Sequence, residues 1–106
     1  MDAGRGFLNG AGDLDAPLLH ARADDAEGAV LLAEGEALAA LMRLRQAWSG
    51  WRDLEAPYEA ARVRVLIGLA CRQIGDAAAA EMELDAARCV LQQLGATPDV
   101  VRIDAL

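Results

Sequence analysis

The chain repeats itself, and this repeat limits the folds open to it. When the sequence is shifted by 40 residues, glycines and leucines fall on glycines and leucines with the same internal spacing. A repeat of this length corresponds to one supersecondary unit that buries its apolar face against a neighbouring unit. The sequence therefore predicts stacked repeats rather than one closed bundle. The most informative matches are Gly28 on Gly68, Gly35 on Gly75, Leu44 on Leu84 and Leu54 on Leu94.

Each repeat contains two predicted helices. Apolar residues recur at steps of three and four, and glycines or prolines interrupt the pattern. Hydrophobic residues make up 55% of the chain but aromatics only 4%, because alanine is abundant, which favours helices over β-structure. We expect helices over about 17–34, 36–54, 57–74 and 76–94, with a truncated fifth after Pro98. The predicted core faces are Leu19, Ala23, Ala26, Val30 and Ala33; Ala37, Ala40, Leu44, Ala47, Trp51 and Leu54; Val63, Ile67, Ala70 and Ile74; and Ala80, Leu84, Ala87, Leu91 and Leu94.

The connections between the helices are short, so consecutive helices should run antiparallel. A glycine in a helix interior costs about 1 kcal/mol relative to alanine, so it marks a close approach of a neighbouring helix. Gly68, with Ala80 and Ala87, predicts such an approach between the third and fourth helices. We expect a flexible lead at 1–16 and a repeat domain at 17–106. Within the domain, we place one repeat at about 17–55, the next at about 57–95 and the start of a third at about 98–106.

Charge and composition exclude several classes of function. The net charge is −7 and all ten basic residues are arginine, which argues against direct binding of nucleic acid. No apolar run is long enough to span a membrane and no signal peptide is evident, so we expect a cytoplasmic protein. His20, Cys71 and Cys89 lack the spacing of metal ligands, and we expect neither a metal nor a cofactor. No catalytic constellation stands out, which predicts a chain that is not an enzyme.

The second repeat resembles the tetratricopeptide pattern. The residues that carry the resemblance are Ile67, Gly68, Cys71, Gly75, Ala80, Leu84 and Ala87; the first repeat fits less fully, because Glu27 stands where a leucine is usual. The resemblance implies an all-α fold of two tetratricopeptide-like antiparallel helix pairs in a right-handed stack, with a truncated fifth helix. Two repeats are fewer than a stable solenoid usually needs, so we expect self-association, as a homodimer.

The segments 28–35, 56–76 and 83–88, together with 94–96, carry a narrower resemblance. They resemble the helical repeat region of LuxR-type transcriptional regulators of the actinobacterial kind. In that family an ATPase module often precedes the repeats and a helix-turn-helix domain follows them; this chain has no phosphate-binding loop and no lysine. The resemblance implies a non-catalytic regulatory domain that binds a protein, a peptide or other parts of its parent chain. The alternative is a sensor that holds a small effector in a concave groove.

The first helix of each pair lines the concave side in tetratricopeptide stacks. By that resemblance, the groove residues are Arg22, Asp25, Ala29, Arg62, Val65, Leu69, Arg72 and Gln73. The planar guanidinium groups of Arg62 and Arg72 can bind a carboxylate of a partner. The alternative is that they are ordinary surface arginines that form ion pairs with the protein's own Asp and Glu residues. Trp48 aligns with an exposed position, so it is either an interface anchor or packs at the edge of a neighbouring repeat.

Overall fold

The computed structural model describes residues 2–106, with side chains from Asp15 onward. Consecutive helices pack against one another, and the last helix lies against the fourth. The described residues thus form an all-α fold of antiparallel helix pairs with a short fifth helix, as predicted. They comprise five helices and no strand: α1 (Asp2–Ala33), α2 (Ala37–Asp53), α3 (Pro57–Gln73), α4 (Ala77–Gln93) and α5 (Thr97–Asp104).

The first helix begins earlier than the sequence indicates. Proline is favoured in the first turn of a helix, which is why Pro17 predicts a start there. In the structure Pro17 lies within α1. The predicted flexible lead at 1–16 falls almost wholly on residues whose side chains are not described, and it stays a prediction.

Four similar turns connect the five helices. They fall at Gly35, Glu55, Gly75 and Gly95, and all four residues have positive φ, at 81°, 56°, 86° and 74°. In each turn the following N–H reaches back to the last turn of the helix; Asp76 N–H, for example, donates to the Cys71 carbonyl at 2.9 Å. This left-handed C-terminal cap ends α1, α2, α3 and α4 with the same hydrogen-bond pattern. Three of the turns use glycine, which adopts this conformation without strain.

The predicted core faces of α2, α3 and α4 are confirmed except near their ends. Leu44, Val63 and Leu91 are the largest fully buried side chains, whereas Ile74 and Leu94 are exposed and Leu54 is half-buried. Ile74 and Leu94 are the C-cap residues of α3 and α4, just beyond the last residue of each helix.

The predicted core face of α1 is wrong. Its members are exposed, Leu19 to 63% and Val30 to 56%, while Ala21, Gly28 and Leu32 on another face are buried. Alanine-rich α1 carries more than one apolar stripe, so periodicity could not choose between them. As the outermost helix, α1 packs on one side only, and α2 decides which side that is.

Small residues let the helices of each pair approach closely, as predicted. A β-carbon on Gly68 would lie 2.9 Å from Leu84 Cγ. At the equivalent place in the first pair, a β-carbon on Gly28 would lie 2.6 Å from Leu44 Cδ2. The leucine of each second helix therefore fills the space that the glycine of the first helix leaves open.

Candidate binding groove

A groove of about 840 Å³ lies between α1 and α3 and is closed at one end by the last turn of α2. Four of the predicted groove residues line it together: Arg22, Asp25, Ala29 and Arg62. α1 and α3 are both first helices of a pair and run in the same direction, because α2 returns the chain between them. The same faces of the two helices therefore contribute to one groove.

Trp51 organises the α1 side of the groove. Its indole is only 4% exposed, and its Nε1–H donates to Asp25 Oδ2 at 3.3 Å. The Arg22 guanidinium carbon lies 6.0 Å from the centre of the same indole, within the range of a cation–π contact. The buried indole thereby fixes one carboxylate and one guanidinium at the groove's edge. On the opposite side, α3 contributes Glu59 and Arg62.

The other predicted groove residues lie elsewhere. Leu69 lines a second, smaller groove between α3 and α5, which it shares with Arg62. Arg72 donates to the Leu106 carbonyl at 3.1 Å, and Gln73 donates to the Leu32 carbonyl at 3.3 Å. Arg62 and Arg72 are ten residues apart, about 15 Å along a helix. The structure thus separates Arg72 and Gln73 from the groove that Arg62 lines.

Trp48 packs between repeats. It is half-buried, with the guanidinium carbons of Arg52 and Arg64 at 4.9 and 5.7 Å from its ring centre. Forty residues on, the contact between Trp48 and Arg64 is replaced by an ion pair in which the Arg88 fork binds the Asp104 carboxylate at 2.7 and 3.2 Å. Both contacts join a second helix to the next first helix. Trp48 as a partner anchor stays a prediction.

The Arg88–Asp104 ion pair shifts the pKa values of both groups in the directions that favour their charged forms. The hydrogen bond from Arg88 lowers the pKa of the Asp104 carboxyl, and the carboxylate raises the pKa of Arg88. On the same helix, Asp99 accepts a hydrogen bond from the Tyr58 hydroxyl at 2.8 Å, which raises the pKa of Tyr58. None of the residues of α5 is buried, and both polar contacts lie at the surface.

The remaining candidate residues occupy separate places. His20 and Cys89 are exposed, and Cys71 is buried, where desolvation raises the pKa of its thiol. Across the part of the chain whose side chains are described, His, Cys, Asp and Glu residues form no group suited to a metal ion. Among the described residues, no helix has both the length and the apolar character needed to cross a membrane.

The sequence reasoning missed two residues of the groove, Trp51 and Glu59. The sequence predicts Trp51 as a core residue, and its ring is buried, but its indole N–H binds Asp25 at the edge of the groove. The sequence does contain one sign of this role, because Trp51 stands where the second repeat has Leu91. An indole in place of leucine adds a hydrogen-bond donor to a core position, and that donor needs a partner.

The chain was compared with protein-family models, with curated proteins and with solved structures. None of the three comparisons found a match. The groove and the pattern of the repeats are therefore the features that bear on its function.

Proposed function

We propose that this chain is a non-catalytic interaction domain of a LuxR-like transcriptional regulator, built of tetratricopeptide-type repeats, and that it acts in the cytoplasm. It binds a protein or peptide partner, or another part of its parent chain, and DNA binding belongs to a separate domain. The observation that carries the proposal is that Arg22 and Arg62 enter one groove from equivalent positions of successive repeats.

Charge favours this groove over the rest of the surface for an acidic segment, because Arg22 and Arg62 balance Asp25 and Glu59 in its lining. The chain as a whole carries a charge of −7, so most of its surface repels an acidic partner. Arg22 and Arg62 occupy equivalent repeat positions, and each guanidinium can donate two hydrogen bonds to a carboxylate. Such bidentate contacts are among the stronger hydrogen bonds in proteins. Electrostatic complementarity of this kind gives specificity and fast association.

A second candidate function is a small-ligand sensor. The groove volume of about 840 Å³ lies within the roughly 300–1,000 Å³ that is usual for small-molecule sites. The groove also presents charges of both signs beside an apolar lining. A bound effector would bridge α1 and α3 and so reinforce the packing between repeats.

Selection of displayed 12-residue peptides against the whole chain tests the interaction role. We expect the selected peptides to be acidic, and we expect their binding, measured by fluorescence anisotropy, to weaken at least tenfold in Arg22→Gln and Arg62→Gln. Arg45→Gln is the matched control, because Arg45 is an exposed arginine on α2 outside the groove. Peptides that bind all three variants equally would refute the assignment.

A further inference from the structure

The repeat supplies an internal comparison for the groove. The 40-residue shift that relates the two helix pairs also relates the α1–α3 groove to the α3–α5 groove, which has a volume of about 240 Å³. Each groove is lined by residues from the same repeat positions. The equivalent lining residues are Arg22 and Arg62, Asp25 and Val65, Ala26 and Leu66, Ala29 and Leu69, Trp51 and Leu91, Glu59 and Asp99, and Arg62 and Arg102.

The first groove departs from the second at four positions, and one of them is Ala26, which stands where the second groove has Leu66. At the other three, Val65, Leu69 and Leu91 give the α3–α5 groove an apolar and smaller interior, as expected of a contact that serves packing. At the same positions the α1–α3 groove carries Asp25, Ala29 and Trp51. Asp25 in place of valine puts a half-buried carboxylate in the lining, and Ala29 in place of leucine removes a large side chain. Trp51 in place of leucine adds an N–H donor, which binds the Asp25 carboxylate.

The charges of the two grooves also differ in their pairing. In the α3–α5 groove Arg102 binds Asp99 at 2.8 Å, and Asp99 accepts the Tyr58 hydroxyl. In the α1–α3 groove, Arg22, Asp25, Glu59 and Arg62 form no ion pair with any side chain among residues 15–106. Two cations and two anions thus line the larger groove with their charges available to a ligand.

We propose that the α1–α3 groove binds a zwitterion of the amino-acid type, with its carboxylate at Arg22 and Arg62 and its ammonium at Asp25. This inference rests on the small-ligand form of the proposed function and names its ligand class. Arg22 and Arg62 stand at the same level of the repeat. Asp25 lies three residues beyond Arg22, about 4.5 Å along the helix axis. A positive and a negative group on one small molecule match this spacing of opposite charges.

The apolar lining accounts for the rest of such a ligand. Leu18 and Leu54 border the groove beside the charged residues and offer contact to an apolar side chain. Asp25 has most of its acceptor sites free, because Trp51 Nε1–H occupies one of them. An ammonium group with three donors can therefore bind Asp25 without displacing the indole.

Isothermal titration calorimetry of the whole chain with each of the twenty standard L-amino acids tests the proposal. For the tightest binder, two matched compounds follow: the amine that lacks its carboxylate and the acid that lacks its ammonium. We expect each to bind at least about tenfold more weakly, since each leaves a charged group of the groove without its partner. In Asp25→Asn, which keeps the acceptor for Trp51, the amino acid and the deaminated acid should bind equally.

Two further variants separate binding from folding. Ala29→Leu introduces the residue that the second repeat carries at this position, so it should abolish binding while the chain keeps its helical circular dichroism and thermal melt. Asp85→Asn is the matched control, because Asp85 is an exposed carboxylate on α4 far along the chain from the groove. This control should bind like the unaltered chain.

The outcomes distinguish this inference from the proposed function. Absence of binding by all twenty amino acids overturns the inference and leaves the peptide selection to decide the interaction role. Equal binding of the amino acid and its deaminated acid by the unaltered chain overturns the role of Asp25 and supports an acidic ligand instead. Binding that Ala29→Leu leaves unchanged places the ligand outside the groove and overturns the inference.

Discussion

Glu55 is the one residue of the four helix-ending turns that is not a glycine, and replacing it should stabilise the protein. Its φ of 56° lies in the left-handed region, where the equivalent turns have Gly35, Gly75 and Gly95. A residue with a β-carbon pays about 1–2 kcal/mol for this conformation, because the β-carbon approaches the following carbonyl oxygen. Glycine avoids the clash but has more conformational freedom to lose on folding.

The net gain for Glu55→Gly should be about 1 kcal/mol of unfolding free energy. For a domain near 100 residues this corresponds to a rise in Tm of about 4 °C or slightly more. Urea denaturation followed by circular dichroism measures the free energy, and the slope with urea should stay constant because the exposed surface does not change. Glu55→Ala controls for the loss of charge, since alanine keeps the β-carbon, and it should leave the stability nearly unchanged.

The reverse substitution tests the same reasoning at an equivalent turn. A β-carbon on Gly75 would have no atom within 4 Å, so Gly75→Ala introduces no clash with a neighbouring element. It should nevertheless lower the unfolding free energy by about 1 kcal/mol through backbone conformation alone. The reasoning fails if Glu55→Gly is no more stable than Glu55→Ala, or if Gly75→Ala melts like the unaltered chain.

Three other predictions concern packing, pH and assembly. Gly28→Ala should lower the unfolding free energy by about 1–2 kcal/mol in urea melts, because overlap with the buried Leu44 outweighs the gain of about 1 kcal/mol in helix propensity. Gly68→Ala, with its longer contact, should lose less; a larger loss would contradict the geometry. The hydrogen bond from Arg88 lowers the pKa of Asp104 in the folded state. The stability that this ion pair contributes is therefore fully present at pH values above the pKa of Asp104 in the unfolded chain, and it is lost as the pH falls through the lower pKa of Asp104 in the folded chain. Amide exchange in α5, corrected for the intrinsic pH dependence, should therefore show less protection in strong acid, and unchanged protection would contradict this. Sedimentation at high micromolar concentration should show a dimer, and a strictly monomeric profile would refute self-association.

Helix boundaries were predicted well where glycine or proline marks them. The predicted second, third and fourth helices agree with α2, α3 and α4 to within one residue at each end. Asp76, a residue type favoured at N-caps, caps α4, and its carboxylate accepts the Ala79 N–H at 3.0 Å. These features depend on residues close together in the chain, so local sequence contains the information.

The candidate site was predicted only in part. Arg22, Asp25 and Arg62 share a groove because they occupy matching faces of two parallel helices, which the repeat pattern indicates. Arg72 lies too far along α3 to reach that groove and instead binds the Leu106 carbonyl. That contact depends on where α5 returns against α3 and α4, which no local pattern specifies.

The sequence by itself determined α2, α3 and α4, the turns between the helices and the repeat, because backbone hydrogen bonding, glycine conformation and apolar spacing act over a few residues. Only the tertiary structure decided which face of α1 is buried and which charges meet in the groove. Several faces of an alanine-rich helix are equally apolar, and the neighbouring helix selects one of them. The groove joins residues about 40 positions apart, and they meet because Gly28 lets α2 pack closely and carry the chain back to α3.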